Sequence, residues 1–430
     1  MSKIIISADK VLPITSLPCN RSAVVIDGDT IIEIGNAESI IEKHKDSSTV
    51  LRLTNVILMP GLINTHIHLE LSGFAGLISE KNDFFDWVER LISVKLNTKR
   101  ESYQSGSLKG LKELIRTGTT TVGEITSEDV SPYILAKSGM RCRVFFEVIG
   151  PDSSNSDTVL NSTINKIERF KEMINEQRIL TAKIGLFPHS CYSVSTDLLL
   201  KCNRYSLEYD LPMSAHIAET SEECNFLSNG TGKLKEMLRR IGVTSFPNTF
   251  SAPSPIDYLD RIGLVSKNLM AVHAVHLSES DIETIANKGS SISHCPRSNK
   301  NLNTGTAPID RFLKSNINLS LGTDSLASNT SLDLWDEMTF AYNQHKSSGV
   351  TPYDIFKMAT INGAKALLME AEAGSIEKGK KADIIAVRPK TEHRAGDIYQ
   401  FLLERGVDIM MTMVSGRMLF MHPELVIERR

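Results

Sequence analysis

The chain has 430 residues, of which 41% are hydrophobic and 23% charged, and its formal net charge is −3. These values are typical of a globular protein of two or three domains, and we expect neither a nucleic-acid partner nor a membrane surface. We find no apolar run of the ~20 residues that a membrane helix needs and no signal-peptide pattern. The six cysteines form no Cys-x-x-Cys pair, so we expect free thiols and a cytoplasmic location.

Both ends of the chain are rich in short strand-like runs. "AVVIDGDTIIEIG" (23–35) holds two β-branched runs around Asp-Gly-Asp, which predicts a hairpin. "ADIIAVRP" (382–389) and "MMTMVSGRMLF" (410–420) are similar runs near the other end. We therefore predict one small β-sandwich domain built from residues 1–56 and 373–430.

Between these ends, strand-like and helix-like segments alternate. The strand-like runs are "VILMPGLINTHIH", "TTTVGEI", "RCRVFFEVI", "LTAKIGLF", "PMSAHIAE", "LMAVHAVHL", "SSISHCP" and "NLSLGTDS". "DFFDWVERLISVKL" has a helical apolar face with Asp83 as a candidate cap, and "SEDVSPYILAKSG" and "SESDIETIANKG" each end at a glycine. Eight alternations over residues 57–372 predict an α/β fold, a (β/α)8 barrel of the TIM type. No glycine-rich phosphate loop supports a nucleotide cofactor.

Two histidines one residue apart end the first barrel run. Side chains at i and i+2 of a strand share a face, so His66 and His68 project together. Two neighbouring imidazoles suit a metal such as zinc, although one histidine capping the strand and the other packing in the core is the alternative. Ends of later runs carry His189, His216, His273, His276, His294 and Asp324. The carboxyl ends of barrel strands carry the active site in such folds, which favours a functional site.

These motifs resemble a known family. "PGLINTHIH", "AHIAE", "HAVHLS", "SHCPRSN" and "LGTDS", in this order, resemble the amidohydrolase superfamily, and more closely its deaminase and chlorohydrolase branch. That branch includes guanine, S-adenosylhomocysteine/adenosine and aminodeoxyfutalosine deaminases and triazine hydrolases. The resemblance covers nearly the whole chain, including "GSIEKGKKADIIAV", which is similar to the re-entry into the small β-domain.

The resemblance implies one divalent metal ion, zinc by preference or iron. Its implied ligands are His66, His68, His216 and Asp324. Dinuclear relatives carry a carboxylated lysine at the end of the fourth strand, where this chain has His189 in "FPHS". A single metal ion is therefore expected.

The resemblance also implies catalytic roles for Glu219, His273 and Asp324. Metal-bound hydroxide attacks the carbon that bears the amino group, and Asp324 accepts the proton of the water. His273 orients the water, and Glu219 passes a proton to a ring nitrogen before ammonia leaves. Glu219 as a helix cap and Asp324 as a turn residue are the alternatives.

Five further residues are candidate substrate contacts, namely Glu70, Trp87, His189, His294 and Arg297. Glu70 shares the face of the two histidines, and such a glutamate favours relatives of aminodeoxyfutalosine deaminase; a hydrogen bond to a ligand histidine is its alternative. Trp87 either stacks on the substrate or covers the barrel. Arg297 either meets the substrate or forms a surface ion pair, and we expect His276 to support the site or to pack.

The predicted function is hydrolytic deamination of an adenine-containing nucleoside derivative, such as aminodeoxyfutalosine, S-adenosylhomocysteine, methylthioadenosine or adenosine. One alternative is a chlorohydrolase or a guanine- or cytosine-type deaminase with the same site. A catalytically inactive scaffold is the alternative outside enzymes. We expect a small-molecule substrate and leave a homodimer open.

Overall fold

The computed structural model describes residues 3–44, 47–78, 83–243, 252–393, 396–425 and 427–429. The strands are β1 (Lys3–Val11), β2 (Cys19–Asp27), β3 (Thr30–Asn36), β4 (Ser48–Leu53), β5 (Ile57–Pro60), β6 (Leu62–Ile67), β7 (Thr119–Thr126), β8 (Arg141–Val148), β9 (Ala182–Pro188), β10 (Met213–Ile217), β11 (Leu269–His273), β12 (Ser291–His294), β13 (Asn318–Leu321), β14 (Ile384–Pro389), β15 (Val407–Val414), β16 (Arg417–Met421) and β17 (Ile427–Arg429). The helices are α1 (Ala37–His44), α2 (Phe84–Asn97), α3 (Arg100–Arg116), α4 (Ser131–Ser138), α5 (Ser156–Glu176), α6 (Thr196–Glu208), α7 (Ser221–Asn229), α8 (Lys233–Arg240), α9 (Pro255–Arg261), α10 (Glu279–Lys288), α11 (Pro296–Asn301), α12 (Ile309–Lys314), α13 (Leu334–His345), α14 (Pro352–Met358), α15 (Ile361–Ala366) and α16 (Ile398–Arg405). None of these helices is long and apolar enough to cross a bilayer.

Strands β6 to β13 form an eight-stranded parallel sheet in which each strand pairs with the next one along the chain. A parallel bridge between Ile67 and Asp324 links the first strand to the loop after the last one. At least one helix follows each strand. The predicted (β/α)8 barrel is therefore confirmed. Six of its eight strands fall within a predicted run, and β7 and β9 each extend one residue beyond theirs.

The barrel strands are buried along most of their length. Every residue of β7 and of β10 is buried, which is the pattern of parallel strands whose outer face is covered by helices. Helix α2 begins where predicted, since the Asp83 carboxylate accepts a hydrogen bond from the amide of Phe85 at 3.1 Å. Helices α4 and α10 end at Gly139 and Gly289, which have φ of 86° and 70°.

The two termini together build a separate mixed sheet of nine strands. The predicted hairpin is present as the antiparallel pair β2 and β3, and β1 is followed by β5, β14 and β15 across the sheet. Strand β5 pairs with β1 and β14, so residues 57–60 lie in the terminal sheet and the barrel begins at Leu62. The domain limits 1–56, 57–372 and 373–430 stay a prediction.

Arg141, the first residue of β8, joins the barrel to the terminal sheet. Its Nε donates to Asp383 at 2.6 Å and its Nη1 donates to Glu372 at 2.6 Å. Its guanidinium also donates to the hydroxyl of Ser415 at 2.9 Å. A buried charge is tolerated only when it is paired and hydrogen-bonded, so this cluster holds the two units in one arrangement.

Candidate active site

Four histidines from three barrel strands converge at one rim. The ring centroid of His66 lies 4.9 Å from that of His68, 5.1 Å from that of His216 and 5.9 Å from that of His273. All four side chains are buried. They come from the carboxyl ends of β6, β10 and β11, as the sequence predicts.

The possible ligand atoms form two groups that share His66. One group holds His66, His216 and His273, the other holds His66, His68 and Asp324, and the atoms of each lie within 4.8 Å of one another. The Nε2 atoms of His66 and His216 face each other at 3.2 Å. Oδ1 of Asp324 lies 3.7 Å from Nε2 of His66 and 3.6 Å from Nε2 of His68. The four predicted ligands are thus brought together.

The charge states of these residues fit a bound cation. Burial lowers the pKa of His66 and of His216 and lowers the pKa of His68 to about 3, so the imidazoles are neutral, as metal ligands must be. Burial raises the pKa of Asp324, but the hydrogen bond to His66 and the neighbouring imidazoles outweigh it and hold that pKa well below its usual range. Three neutral nitrogens and one carboxylate oxygen suit zinc or iron.

Asp324 is held in place by two hydroxyl groups. Its Oδ2 accepts hydrogen bonds from Ser298 at 2.6 Å and from Ser328 at 2.7 Å, which leaves Oδ1 facing the histidines. The backbone of Asp324 has φ of 58°, and Ala218 and His273 have φ of 52° and 70°. Positive φ at residues other than glycine costs free energy and persists where tertiary contacts enforce it, which is common at functional sites.

Glu219 and His273 form a candidate proton-transfer pair. Oε1 of Glu219 lies 3.7 Å from Nε2 of His273. Burial raises the pKa of Glu219 to about 7, so the carboxyl exchanges a proton near neutral pH. Nδ1 of His273 lies 2.8 Å from the side-chain oxygen Oδ1 of Asn299. This oxygen accepts the Nδ1–H of the ring and leaves Nε2 as the acceptor that faces the site.

These residues lie at the base of a cleft whose empty volume is about 950 Å³, including the part open to solvent. Apolar side chains of α2 and α8 form much of its wall. Trp87 lines the cleft and is fixed by a hydrogen bond from its Nε1 to the carbonyl of Ala327 at 3.0 Å. His189 also lines it, with Nδ1 2.8 Å from the hydroxyl of Ser193. Two of the five predicted substrate contacts, Trp87 and His189, therefore line the cleft.

Glu70 is not among the described residues that line the cleft. Its carboxylate is buried in the loop after β7, where it accepts a hydrogen bond from the hydroxyl of Thr126 at 2.8 Å. It also accepts hydrogen bonds from the backbone amides of Ser127, Glu128, Val130 and Ser131. With its oxygens occupied in this way, Glu70 holds a loop and is not placed to bind substrate.

Arg297 and His294 are also absent from the described lining of the cleft. Arg297 donates to the hydroxyl of Ser331 at 2.9 Å and to Asp336 at 3.3 Å. Its charge is therefore paired with a carboxylate outside the cleft. His294 is fully buried, and its ring lies 5.9 Å from that of His345. The structure thus places neither side chain on the described wall of the cleft, and their substrate contacts stay a prediction.

Sequence reasoning missed several residues that support the site. The ring of Phe187 packs against those of His216 and His66, with centroids 4.9 Å and 5.7 Å apart. Ser298 and Asn299 follow Arg297 directly in the "SHCPRSN" motif, and both touch predicted catalytic residues. The motif therefore does contribute to the site, but through the side chains of Ser298 and Asn299 and not through that of Arg297.

A parallel barrel with imidazoles and buried carboxylates at its strand ends has the architecture of a metal-dependent barrel hydrolase. The chain belongs to the amidohydrolase family, whose sequence profile matches residues 57–419.

Relatives of known activity resemble most of the chain. It is 29% identical to the 5'-deoxyadenosine deaminase of Methanothermobacter thermautotrophicus, over 94% of this chain and 90% of that one. It is 30% identical to the 5'-deoxyadenosine deaminase of Methanococcus maripaludis, over 86% and 83% of the two chains. The 5-methylthioadenosine/S-adenosylhomocysteine deaminase of Pyrococcus abyssi is 29% identical over 94% and 91%. The predicted activity, hydrolytic deamination at a carbon–nitrogen bond, is confirmed.

Solved structures show the same fold. An adenosine deaminase from Xanthomonas campestris with bound zinc superposes with a TM-score of 0.83, at 24% identity over 98% of this chain and 94% of that one. The Helicobacter pylori aminofutalosine deaminase superposes with a TM-score of 0.83, at 23% identity over 97% and 100%.

Proposed function

We propose that this protein deaminates the adenine ring of a nucleoside, with 5'-deoxyadenosine and methylthioadenosine as the preferred substrates. In this reaction water adds to the carbon that bears the amino group, the carbon–nitrogen bond breaks and ammonia leaves. The observation that carries the proposal is the pair of Glu219 and His273, 3.7 Å apart, in the cleft that also holds the imidazoles and Asp324.

The residues of the site divide the work of the reaction. His66, His68, His216 and Asp324 would hold a divalent ion, which would lower the pKa of a water molecule and so supply the nucleophile. The ionised carboxylate of Asp324 accepts the proton that this water loses.

Two further residues act on the substrate and the water. Glu219, whose pKa burial raises to about 7, gives a proton to the ring nitrogen beside the reacting carbon, which makes that carbon electrophilic. Nε2 of His273 accepts a hydrogen bond from the water and orients it, because Asn299 holds the ring by its other nitrogen.

The cleft favours an uncharged 5' group on the sugar. Its wall contains Val88, Leu91 and Leu238, and Lys95 is the one lysine or arginine among the described lining residues. Lys95 already donates to the hydroxyl of Ser127 at 3.0 Å. An apolar wall receives a methyl or methylthio group better than the charged tail of S-adenosylhomocysteine. The preference for aminodeoxyfutalosine rested on Glu70, whose oxygens are occupied.

The test is a screen for ammonia release with adenosine, 5'-deoxyadenosine, methylthioadenosine, S-adenosylhomocysteine, aminodeoxyfutalosine, guanine and cytosine. Metal analysis of the same preparation should find about one ion per chain, zinc by preference and iron as the alternative. Folded protein that binds no metal contradicts the proposal. No ammonia from any compound, with chloride release from halogenated triazines, favours the chlorohydrolase alternative. A cytoplasmic location and a homodimer are further parts of the proposal, and light scattering tests the dimer.

A further inference from the structure

An acidic side chain without an assigned role lines the cleft beside the candidate metal centre. Glu147 lies at the carboxyl end of β8, in register with Phe187 of the neighbouring strand β9. It lines the same cleft as His189, His216 and Glu219, and it is only partly buried. A carboxylate on the wall of this cleft is accessible to a bound ligand.

Glu147 is ionised, and no positively charged side chain of the described residues is paired with it alone. Burial raises the pKa of Glu147, but the charge of Lys95 and the neighbouring His189 outweigh it and hold that pKa below its usual value. Lys95 lies 3.7 Å from a second carboxylate, that of Glu128, and donates to the hydroxyl of Ser127. The charge of Lys95 thus acts on Glu147, while its ammonium group lies against a different carboxylate.

The oxygens of Glu147 have room for further donors. An ionised carboxylate accepts about four hydrogen bonds, and the nearby hydroxyl of Ser127 contributes to lowering the pKa of Glu147. The nearby hydroxyl of Ser193 is already engaged with His189 at 2.8 Å and with Ser190 at 2.7 Å. Glu147 is therefore the acceptor that this side of the cleft offers to a ligand.

We propose that Glu147 determines substrate specificity by accepting hydrogen bonds from the vicinal hydroxyl groups of the sugar. Two adjacent O–H groups match the two oxygens of one carboxylate, and hydrogen bonds to an ionised acceptor are stronger than those between neutral groups. This inference rests on the proposed function, because only a nucleoside presents both a ring amino group and such a diol.

The position of Glu147 in the barrel fits this role. Strand β9 separates β8 from β10, which carries His216. Two strand spacings amount to roughly 10 Å, which is comparable to the span from the amino group of adenine to the hydroxyls of its sugar. A ring held at Glu219 and His273 thus places the sugar within reach of Glu147.

The test compares kcat/KM for adenosine and 2',3'-dideoxyadenosine in the metal-loaded enzyme and in Glu147→Gln. Loss of hydrogen bonds to a charged group corresponds to a factor of about 10 to 100. We expect the wild type to prefer adenosine by about this factor. In Glu147→Gln, kcat/KM for adenosine should fall by this factor, mainly through a higher KM. Its kcat/KM for 2',3'-dideoxyadenosine should not change. Equal metal content and thermal unfolding of both proteins control for folding.

Lys95→Met is the matched control, since it removes the positive charge that lowers the pKa of Glu147 and keeps the acceptor. We expect this variant still to prefer adenosine over the dideoxy substrate. A wild type that deaminates both substrates equally well overturns the inference and leaves the proposed function intact. An equal loss on both substrates in Glu147→Gln also overturns it, since the residue then acts through the fold. A wild type inactive on both substrates and throughout the ammonia screen refutes the proposed function itself and the inference with it.

Discussion

The amide of Asp324 donates to the carbonyl oxygen of His66 at 3.0 Å, while Oδ1 of Asp324 lies 3.7 Å from Nε2 of the same histidine. The first contact ties the loop after the last barrel strand to the first strand. The second brings the carboxylate to the imidazoles. Closure of the barrel and assembly of the candidate metal centre therefore depend on the same pair of residues.

Replacement of Glu219 by Gln should abolish turnover and keep the metal. An amide cannot pass a proton to the substrate ring, and loss of a general acid reduces kcat by about 10² to 10⁴. The measurement is steady-state ammonia release together with metal content per chain. Activity within a factor of a few of the wild type would remove Glu219 from the proton-transfer role.

Ser298→Ala and Ser328→Ala should each weaken metal binding. Both hydroxyls donate to Oδ2 of Asp324, and loss of a group that orients a metal ligand lowers metal affinity by about 10 to 100-fold. Competition with a chelator measures this affinity. Ser105→Ala, on the exposed side of α3, is the matched control. Wild-type affinity in both variants would show that Asp324 needs no such support.

Glu70→Gln should affect stability more than substrate binding. Its carboxylate accepts hydrogen bonds from four backbone amides, and each buried group left without a partner costs about 1–3 kcal/mol. Urea unfolding should show a loss of at least about 2 kcal/mol, with KM within a factor of two or so of the wild type. Glu101→Gln, on an exposed part of α3, is the control. A large rise in KM with unchanged stability would show instead that Glu70 binds the substrate.

Arg141→Met should destabilise the protein by about 3–5 kcal/mol, because it leaves the buried carboxylate of Asp383 without its partner. Arg169→Met is a matched control, since it removes an ion pair to Asp129 in which the arginine side chain is 57% exposed. Such exposed pairs contribute little to the free energy of unfolding. Equal losses of unfolding free energy in the two variants would contradict the role given to Arg141.

Glu223→Gln should change how stability depends on pH. Burial raises the pKa of Glu223 to about 8, above the ordinary value of 4.5, so the folded state binds more protons than the unfolded state between these values. The wild type therefore loses stability as pH rises through this range, by at most about 1.4 kcal/mol per pH unit from this group. The variant lacks this loss, and its stability relative to the wild type should increase with pH.

Urea unfolding of the metal-free protein from pH 5 to pH 8.5 measures this difference. Glu222→Gln, which removes a carboxylate from a less buried position of the same helix, is the control. A constant difference between Glu223→Gln and the wild type over this range would show that Glu223 is ionised in the folded protein throughout.

Periodicity was enough to predict the barrel, and the family resemblance of the motifs supplied the candidate metal ligands. Strands β6 to β13 coincide with predicted runs to within one residue, because burial on both faces leaves continuous apolar segments in the sequence. His66 and His68 share a face for a reason local to one strand, the alternation of side chains. These properties depend on neighbours along the chain, which the sequence displays directly.

Only the tertiary structure decided which polar side chains reach the cleft. Glu70 follows the His-x-His pair closely, yet it is turned to four backbone amides of another loop. Glu147 carried no motif, and it lines the cleft because β8 lies next to β9 in the closed sheet. A side chain's hydrogen-bond partners come from segments far apart in sequence, so its direction is determined by the packing of the whole barrel and not by its local pattern.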